Sequence, residues 1–434
     1  MAASPAKELR IAIVGGGVCG LMCAIALAKN GITAQLYEAA AKFGEIGAGI
    51  GINPNAVRIL RDIGVLNDVL AKTGSNRPNR TGWMQFRSGM QDSELVYDYT
   101  TLPGQESIGI HRAAFLDALV QHIDLKSCHF NKRCIRVSES PLSTNGNSEL
   151  TIHFADSTSA EADVVLGADG IKSAVRPFVT GASTAEHVKF SNTICYRGLV
   201  PTEQAKSAGM RLDFSDRPMC FLGQDKHVIA FSIKGGHIIN VVAFVSDRTV
   251  PMGEAQLPPG QPAVVPVPRE QLMKEYEGWG SDVLALLSCI DKPDKWNIHV
   301  VYPPLQSYVK GRVALFGDAA HAMLPHLGAG SGQGLEDAHL LAKLLAHPQT
   351  SGENIETILQ VYDEIRRPRT QSVWEGSMRA GEIYEGYGIS GSSREGLRKD
   401  LEDLPEFVWI RELNQDMQDA TARLQQLGVF TNED

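Results

Sequence analysis

Apolar and polar positions along the chain follow two styles in turn. Leu9 to Val14 is an apolar run, Gly15-Gly16-Gly17 interrupts it, and small and apolar residues continue from Val18 toward Gly31. That order predicts a buried strand, a tight turn and a helix from Val18, then a second strand over Ile32 to Tyr37. Asn53-Pro54-Asn55 reads as a helix start, with Val57, Leu60 and Ile63 on one face. Phe115, Leu116, Leu119, Val120 and Ile123 recur at helical spacing behind Ile110-His111-Arg112. Residues 128–166 read as a β-meander that ends in the apolar strand Ala162 to Leu166.

The middle of the chain is strand-rich. Trp83 to Phe86 and Leu95 to Tyr97 form one pair of runs; Ile194 to Val200, Met219 to Leu222, Val228 to Ile233 and Ile238 to Val245 follow. The turns Gln224-Asp225-Lys226 and Lys234-Gly235-Gly236 join neighbours as hairpins, which implies an antiparallel sheet. Six prolines between Pro251 and Pro268 predict a surface loop. One helix is expected from Arg269 to Leu287, burying Leu272, Met273, Tyr276 and Leu286. The first style then returns with the strand Arg312 to Phe316, a Gly-rich stretch over 317–334, and a helix through Leu335, Ala338, Leu341 and Leu344. From Glu353 the chain reads as helical and increasingly polar.

The resulting fold class is α/β. A discontinuous Rossmann-like domain spans 1–80, 105–185 and 298–350. An antiparallel sheet domain, 81–104 and 186–297, is inserted in it, and a helical region covers 351–434. Composition narrows the partners. A net charge of −9 over 434 residues, spread along the chain, argues against nucleic acid or an anionic membrane surface. Residues 11–28 carry no charge, but glycines interrupt them and no cleavage site follows, so neither a membrane span nor a signal peptide is expected. Seven scattered cysteines without a CxxC pair imply a reduced, cytoplasmic protein, and the twelve histidines show no metal-ligand spacing.

Candidate chemistry concentrates in the glycine-rich turns. Gly15-x-Gly17-x-x-Gly20 between strand and helix, with Glu38 closing the next strand, is the dinucleotide fingerprint. The helix beginning at Val18 and Cys19 would offer its N–H groups to a pyrophosphate, and Glu38 would accept from a ribose diol. Gly44, Gly47, Gly49 and Gly51 suggest backbone lying close to something flat, or a plain loop. Gly328, Gly330, Gly332 and Gly334 are expected to precede a helix and turn its N–H groups on one ligand atom.

Three blocks in order, Gly15–Gly20 with Glu38, Asp169-Gly170 with Arg176, and Gly317-Asp318 with its Gly-rich extension, resemble the single-component FAD-dependent aromatic hydroxylases. The likeness covers residues 8 to 345. Glu45 to Ile50, Tyr196-Arg197-Gly198, Asn240 to Phe244 and Gly317 to Gly334 look most like the salicylate hydroxylase branch. The resemblance implies that Gly15, Gly17, Val18, Cys19 and Gly20 hold the FAD pyrophosphate and Glu38 the adenosine ribose. It sets Ala48, Gly49 and Arg112 beside FAD and Asp318 on the ribityl chain. Asp169 and Gly170 would serve the pyrophosphate and a transient NADH or NADPH. Pro325, Gly328, Ala329 and Gly330 would lie beside the isoalloxazine ring.

For the substrate, the resemblance makes Arg197 an anion contact, though a strand arginine can equally be solvated. Tyr196, Met219 and Phe231 are pocket candidates, and Lys234 and His237 should face solvent. His326 would be a proton relay or a structural hydrogen bond, and His321 a structural one. No metal is expected. The implied reaction is NAD(P)H- and O2-dependent hydroxylation through a flavin C4a-hydroperoxide, with salicylate going to catechol. The alternatives are a dearomatising phenol monooxygenase, whose members carry Tyr at the position of Phe231, another hydroxybenzoate hydroxylase, and a non-oxygenating FAD redox sensor. A monomer or homodimer is expected.

Overall fold

Ile11–Val14 and Val164–Gly167 are buried at every position, as strands covered on both faces must be. The computed structural model describes residues 9–44, 49–74, 78, 83–100, 105–140, 149–215, 217–258 and 260–431. Its six-stranded sheet has the order Val309–Lys310, Val313–Leu315, Val164–Gly167, Ile11–Val14, Gln35–Tyr37, Cys128–His129. All neighbours are parallel except the edge strand Val309–Lys310. Val14 pairs with Gly167, and Gly167 with Leu315, so three distant strands end level. The turns that follow them therefore meet at one carboxyl edge, where open α/β sheets bind ligands.

An eight-stranded sheet faces that edge, in the order Val264–Pro266, Asp294–Val301, Val188–Pro201, Ile238–Ser246, Lys226–Ile233, Met219–Gly223, Met84–Ser88, Leu95–Tyr99. It is antiparallel as expected, with one exception: Met219–Gly223 runs parallel to Met84–Ser88. The stretch 128–166 is divided. Cys134–Glu139, Leu150–Phe154 and Ser159–Ala162 form a small meander, while Cys128–His129 and Val164–Gly167 are taken into the parallel sheet.

Two helical expectations change. The single helix over 269–287 is two, Arg269–Glu275 and Ser281–Ser288. Gly278 between them has φ +85°, and a Cβ on Gly280 would stand 2.2 Å from the Met90 carbonyl oxygen, so the chain must turn there. The C-terminal region is helical but not a polar appendage. Its 30-residue helix Ile355–Tyr384 buries Arg366 completely. Arg366 donates to Asp337 (2.7 Å), Glu336 (2.6 Å), Asp416 (2.7 Å) and Gln333 (2.9 Å), which locks the tail onto the helix Gly330–Leu345. Charge in this region is therefore partly interior, something a polar pattern does not announce.

Candidate active site

The three turns are built for close approach. Gly15 has φ +106°, and a Cβ there would lie 2.4 Å from the Ala168 carbonyl oxygen; one on Gly20 would lie 1.9 Å from the Gly15 carbonyl oxygen. The helix Val18–Lys29 starts at Gly17 with no side-chain cap and no acid in its first turn, so its N–H groups and positive end stay available. Arg176, fully buried, ties the second turn to the third. It donates to the carbonyls of Ile171 (2.9 Å), Ala319 (2.8 Å) and Asp318 (3.3 Å). Burial draws its pKa down to about 10.

A cavity of ≈ 1310 Å³ opens between these turns and the eight-stranded sheet. Gly17, Val18, Cys19, Gly49, Arg112, Gly170, Asp318, Pro325, His326, Gly328 and Gly330 line it. Gly15, Gly20, Glu38, Asp169 and Ala329 stand outside that lining. Glu38 braces the first turn, accepting from the Gly16 and Ala40 N–H groups at 2.7 Å each. Asp169 caps the turn after it, accepting from Ala174 (2.6 Å) and Val175 (3.2 Å), and burial raises its pKa. Ala48 lies outside the described residues. His321 makes the expected structural hydrogen bond, to Asp337 at 2.6 Å, and Lys234 and His237 are exposed.

The last glycine block needs a correction. The helix begins at Gly330, so Gly332 and Gly334 are inside it rather than ahead of it. A Cβ on Gly334 would stand 2.3 Å from the Cys19 sulfur, and these glycines let the helix press against Val18–Lys29. Only Gly328 and Gly330 of the four line the cavity.

Strand alternation decides which sheet residues reach the cavity. Arg197 pairs with Val242, and Val242 with Ile229; all three line it, as do Phe231 and Phe244. Tyr196 and Met219 were expected there and are not. Tyr196 pairs with Ala243 and Met219 with Ala230, one residue out of step, so both side chains pack into the core behind the sheet. Trp296, not singled out from sequence, and Asn240, named there only as the head of a matching stretch, do line the cavity. A polar residue inside the apolar strand Ile238–Ser246 was the available signal for Asn240, which accepts from the Gly49 N–H at 2.9 Å.

Among the described residues Arg197 has no hydrogen-bond or ion-pair partner, and its Nε is buried and unpaired. Its guanidinium lies 5.2 Å from the centre of the Trp296 ring. Burial lowers its pKa, and the Arg112 cation adds to the fall. A half-buried cation without an ion-pair partner is costly to hold against an apolar wall. His326 is 3% exposed, wedged against Gly381, where a Cβ would stand 2.5 Å from the ring. Burial, then the neighbouring His227, lowers its pKa to about 3, so it is neutral.

These groups set a stability profile. Below pH 6.5 the unfolded chain protonates His326 and the native fold does not, so stability declines as pH falls from there toward about 3. Burial raises Asp337 and Glu385, but His321 and Arg366 for the first, and His227 and Arg248 for the second, outweigh it and hold both at about 2. Their contribution is complete above 4.5 and is lost as pH falls toward 2. The urea midpoint should therefore begin to fall below pH 6.5 and steepen under about 4. His326→Gln should shrink the upper limb, to which His187 and His339, their pKa values also lowered by burial, contribute as well, and leave the lower one.

A family model described as the FAD binding domain matches residues 8–201 and 283–377, more than half of the chain and including all three turns. The chain belongs to this FAD-binding family. It is 40% identical to a salicylate hydroxylase of Pseudomonas putida over 425 residues, 96% of this chain and 95% of that one. A 6-methylsalicylate 1-monooxygenase of Aspergillus terreus is 36% identical, over 85% of this chain and 81% of its own. A solved salicylate hydroxylase substrate complex superposes with a TM-score of 0.83 at 35% identity, covering 95% of this chain and 98% of that one. The protein is an FAD-dependent monooxygenase that hydroxylates aromatic compounds. The cavity suits FAD: two glycine-forced turns and a bare helix N-terminus lie at one end, and a broad apolar face at the other. Among the described residues no helix is long and apolar enough to cross a membrane.

Proposed function

We propose that the enzyme hydroxylates a 2-hydroxybenzoate at the carbon bearing the carboxylate, salicylate being the leading substrate, and releases CO2 and a catechol. One observation carries this reading: an unpaired, largely buried Arg197 and a neutral His326 line one apolar cavity. The first fits a carboxylate, the second a phenol, and the apolar walls a ring. The eight-stranded sheet, with 81–104 and 186–297, is proposed as the substrate side. The segments 1–80, 105–185 and 298–350 are proposed to hold FAD.

FAD, when bound, supplies hydride acceptance from NADH or NADPH and the activation of O2. The chain's own residues bind, orient and dry the site. Gly17, Val18, Cys19, Gly49, Arg112, Gly170, Asp318 and the Pro325–Gly330 segment are proposed to hold the cofactor, with Gly15, Gly20, Glu38 and Asp169 shaping the turns. Arg197 holds the substrate carboxylate, and Ile229, Phe231, Val242 and Phe244 flank its ring. His326, uncharged, can accept a hydrogen bond from the phenol and draw electron density into the ring carbon to be attacked.

The test is stoichiometry. Salicylate labelled at the carboxyl carbon should consume one NADH or NADPH and one O2 for each labelled CO2 and catechol. A hydroxylated product that keeps the label moves the enzyme to another hydroxybenzoate, and a non-aromatic product moves it to the dearomatising branch.

A further inference from the structure

Trp83 stands just ahead of the strand Met84–Ser88, its backbone N–H on the Tyr99 carbonyl at 3.0 Å, and it lines the main cavity. Its ring opens a packed series. The Trp83 and Tyr99 ring centres are 5.7 Å apart, and Trp409 meets both edge-on, at 5.1 and 5.6 Å. Tyr97, two positions back on the strand Leu95–Tyr99 and so on the same face, lies 6.0 Å from Tyr99. Trp83, Tyr99 and Trp409 are buried, whereas Tyr97 is partly exposed. Edge-to-face rings pack well in any core. Packing alone, however, does not require indole and phenol rings, which can each give up an electron, to run in order from a cavity to the surface.

Hydrogen bonding singles out one of the four rings. Tyr99 donates its hydroxyl to Glu406 Oε1 at 3.0 Å. Burial, then that carboxylate, raises the Tyr99 pKa, so the phenol keeps its proton until an electron is taken. Electron and proton can then leave together, the proton to Glu406, and no charge is stranded on the ring. The Trp409 indole N–H is buried without a partner among the described residues, so an electron taken there would leave a cation in an apolar site. Trp409 therefore packs the series without carrying it. Around Tyr97 stand the Glu402, Asp403 and Glu406 carboxylates and the Arg398 cation, a set that favours positive charge at the outer ring. Met84 and Met323 pack in this aromatic cluster and also line the cavity, and thioethers are ready targets of oxidants.

We propose that Trp83, Tyr99 and Tyr97 form an escape path for oxidising equivalents, leading from the cavity to the surface, which spares the site when a turnover fails to hydroxylate. The proposal rests on FAD lying in the main cavity. The oxidant is a one-electron species derived from hydrogen peroxide, the product of O2 reduction without oxygen transfer. It takes one electron from Trp83. Tyr99 refills Trp83 with one electron and passes its phenol proton to Glu406. Tyr97 then refills Tyr99, which recovers its proton from Glu406, and the Tyr97 proton goes to water. A thiol in solution restores Tyr97 with one electron and one proton, and two thiyl radicals so formed pair as a disulfide. The protein ends unchanged, the oxidant reduced and the thiol oxidised.

The test is a laser flash into the flavin band of FAD-loaded, substrate-free protein, which makes the bound cofactor a one-electron oxidant, followed by transient absorption. Wild type should show a tryptophan radical and then a tyrosyl radical that added dithiothreitol removes. Tyr99→Phe should lose the tyrosyl signal and prolong the tryptophan one. Glu406→Gln, which keeps a hydrogen-bond acceptor but not the base, should do the same. Tyr97→Phe should keep a tyrosyl signal, now slow to respond to dithiothreitol, and Trp409→Phe should change nothing. Trp83→Phe should lose the tyrosyl signal although Trp296 also lines the cavity, because the Arg197 cation over that ring opposes positive charge on it. In turnover, Tyr99→Phe should start at the wild-type rate, fail after fewer cycles, and gain oxygen at Trp83, Met84 and Met323 in peptide mass maps. A wild-type tryptophan radical with no tyrosyl radical after it, or a tyrosyl radical that survives in the Tyr97→Phe, Tyr99→Phe double variant, overturns the path alone. FAD-loaded wild type that gives no aromatic radical overturns the flavin's place beside Trp83, and the path with it.

Discussion

Gly20→Val should give a colourless protein that takes up no added FAD. Its first side-chain carbon would stand 1.9 Å from the Gly15 carbonyl oxygen, and that atom is backbone in a turn already fixed by Gly15 at φ +106°. Relief requires the helix Val18–Lys29 to move off the strand, which takes its first-turn N–H groups, proposed above to hold the cofactor, out of position. The cost of overpacking is about 1–3 kcal/mol or more, and here it falls on the bound geometry, so FAD affinity should drop at least about 100-fold. Gly44→Ala is the matched control, because nothing lies within 4 Å of a Cβ there. Flavin absorbance after gel filtration reads both. A yellow Gly20→Val protein with native affinity would mean that the cofactor is held elsewhere.

Arg197→Ala should lower kcat/KM for 2-hydroxybenzoate by about 100- to 1000-fold, in line with the cost of truncating one partner of a buried charge pair. The effect should be confined to substrates with a carboxylate, and phenols lacking one should change little. Arg197→Lys should recover only part of the loss, since an ammonium cannot offer the planar fork or stack on Trp296. Thermal stability without substrate should change little, because the variant removes a half-buried cation that has no hydrogen-bond or ion-pair partner among the described residues and loses only its stacking on Trp296. Steady-state kinetics with paired substrates and a melting curve separate this from a structural role. A uniform loss on every phenol would contradict the assignment.

The turns were legible in sequence because glycine is demanded by backbone geometry. Gly15 at positive φ and Gly20 against a carbonyl leave no other residue type, and the strand-helix-strand pattern around them gives their setting. Arg176 was legible as part of a block, but not as a clasp between two turns, since two of its carbonyl partners, Ala319 and Asp318, sit 143 and 142 residues away. Alternation was legible too, and misapplied: a strand that sends Arg197 into the cavity must send Tyr196 behind it. Met219 failed for the same reason. The buried charges were beyond reach. Nothing local marks Glu385, in a polar helical tail, as the partner of His227 in a strand 158 residues earlier. Nor does anything local separate Arg366, in the core, from Arg367 beside it, which is held by Asp363 on its own helix.

The central claim is that three turns far apart in sequence hold one flavin, and that a phenol with a carboxylate lies over it between Arg197 and His326. A crystal structure with FAD and 2-hydroxybenzoate reads this directly. The expected density has the isoalloxazine ring against the Pro325–Gly330 segment, the carboxylate on Arg197 and the phenol oxygen on His326. A flavin ring outside this cavity, or a carboxylate held by some group other than Arg197, would contradict it.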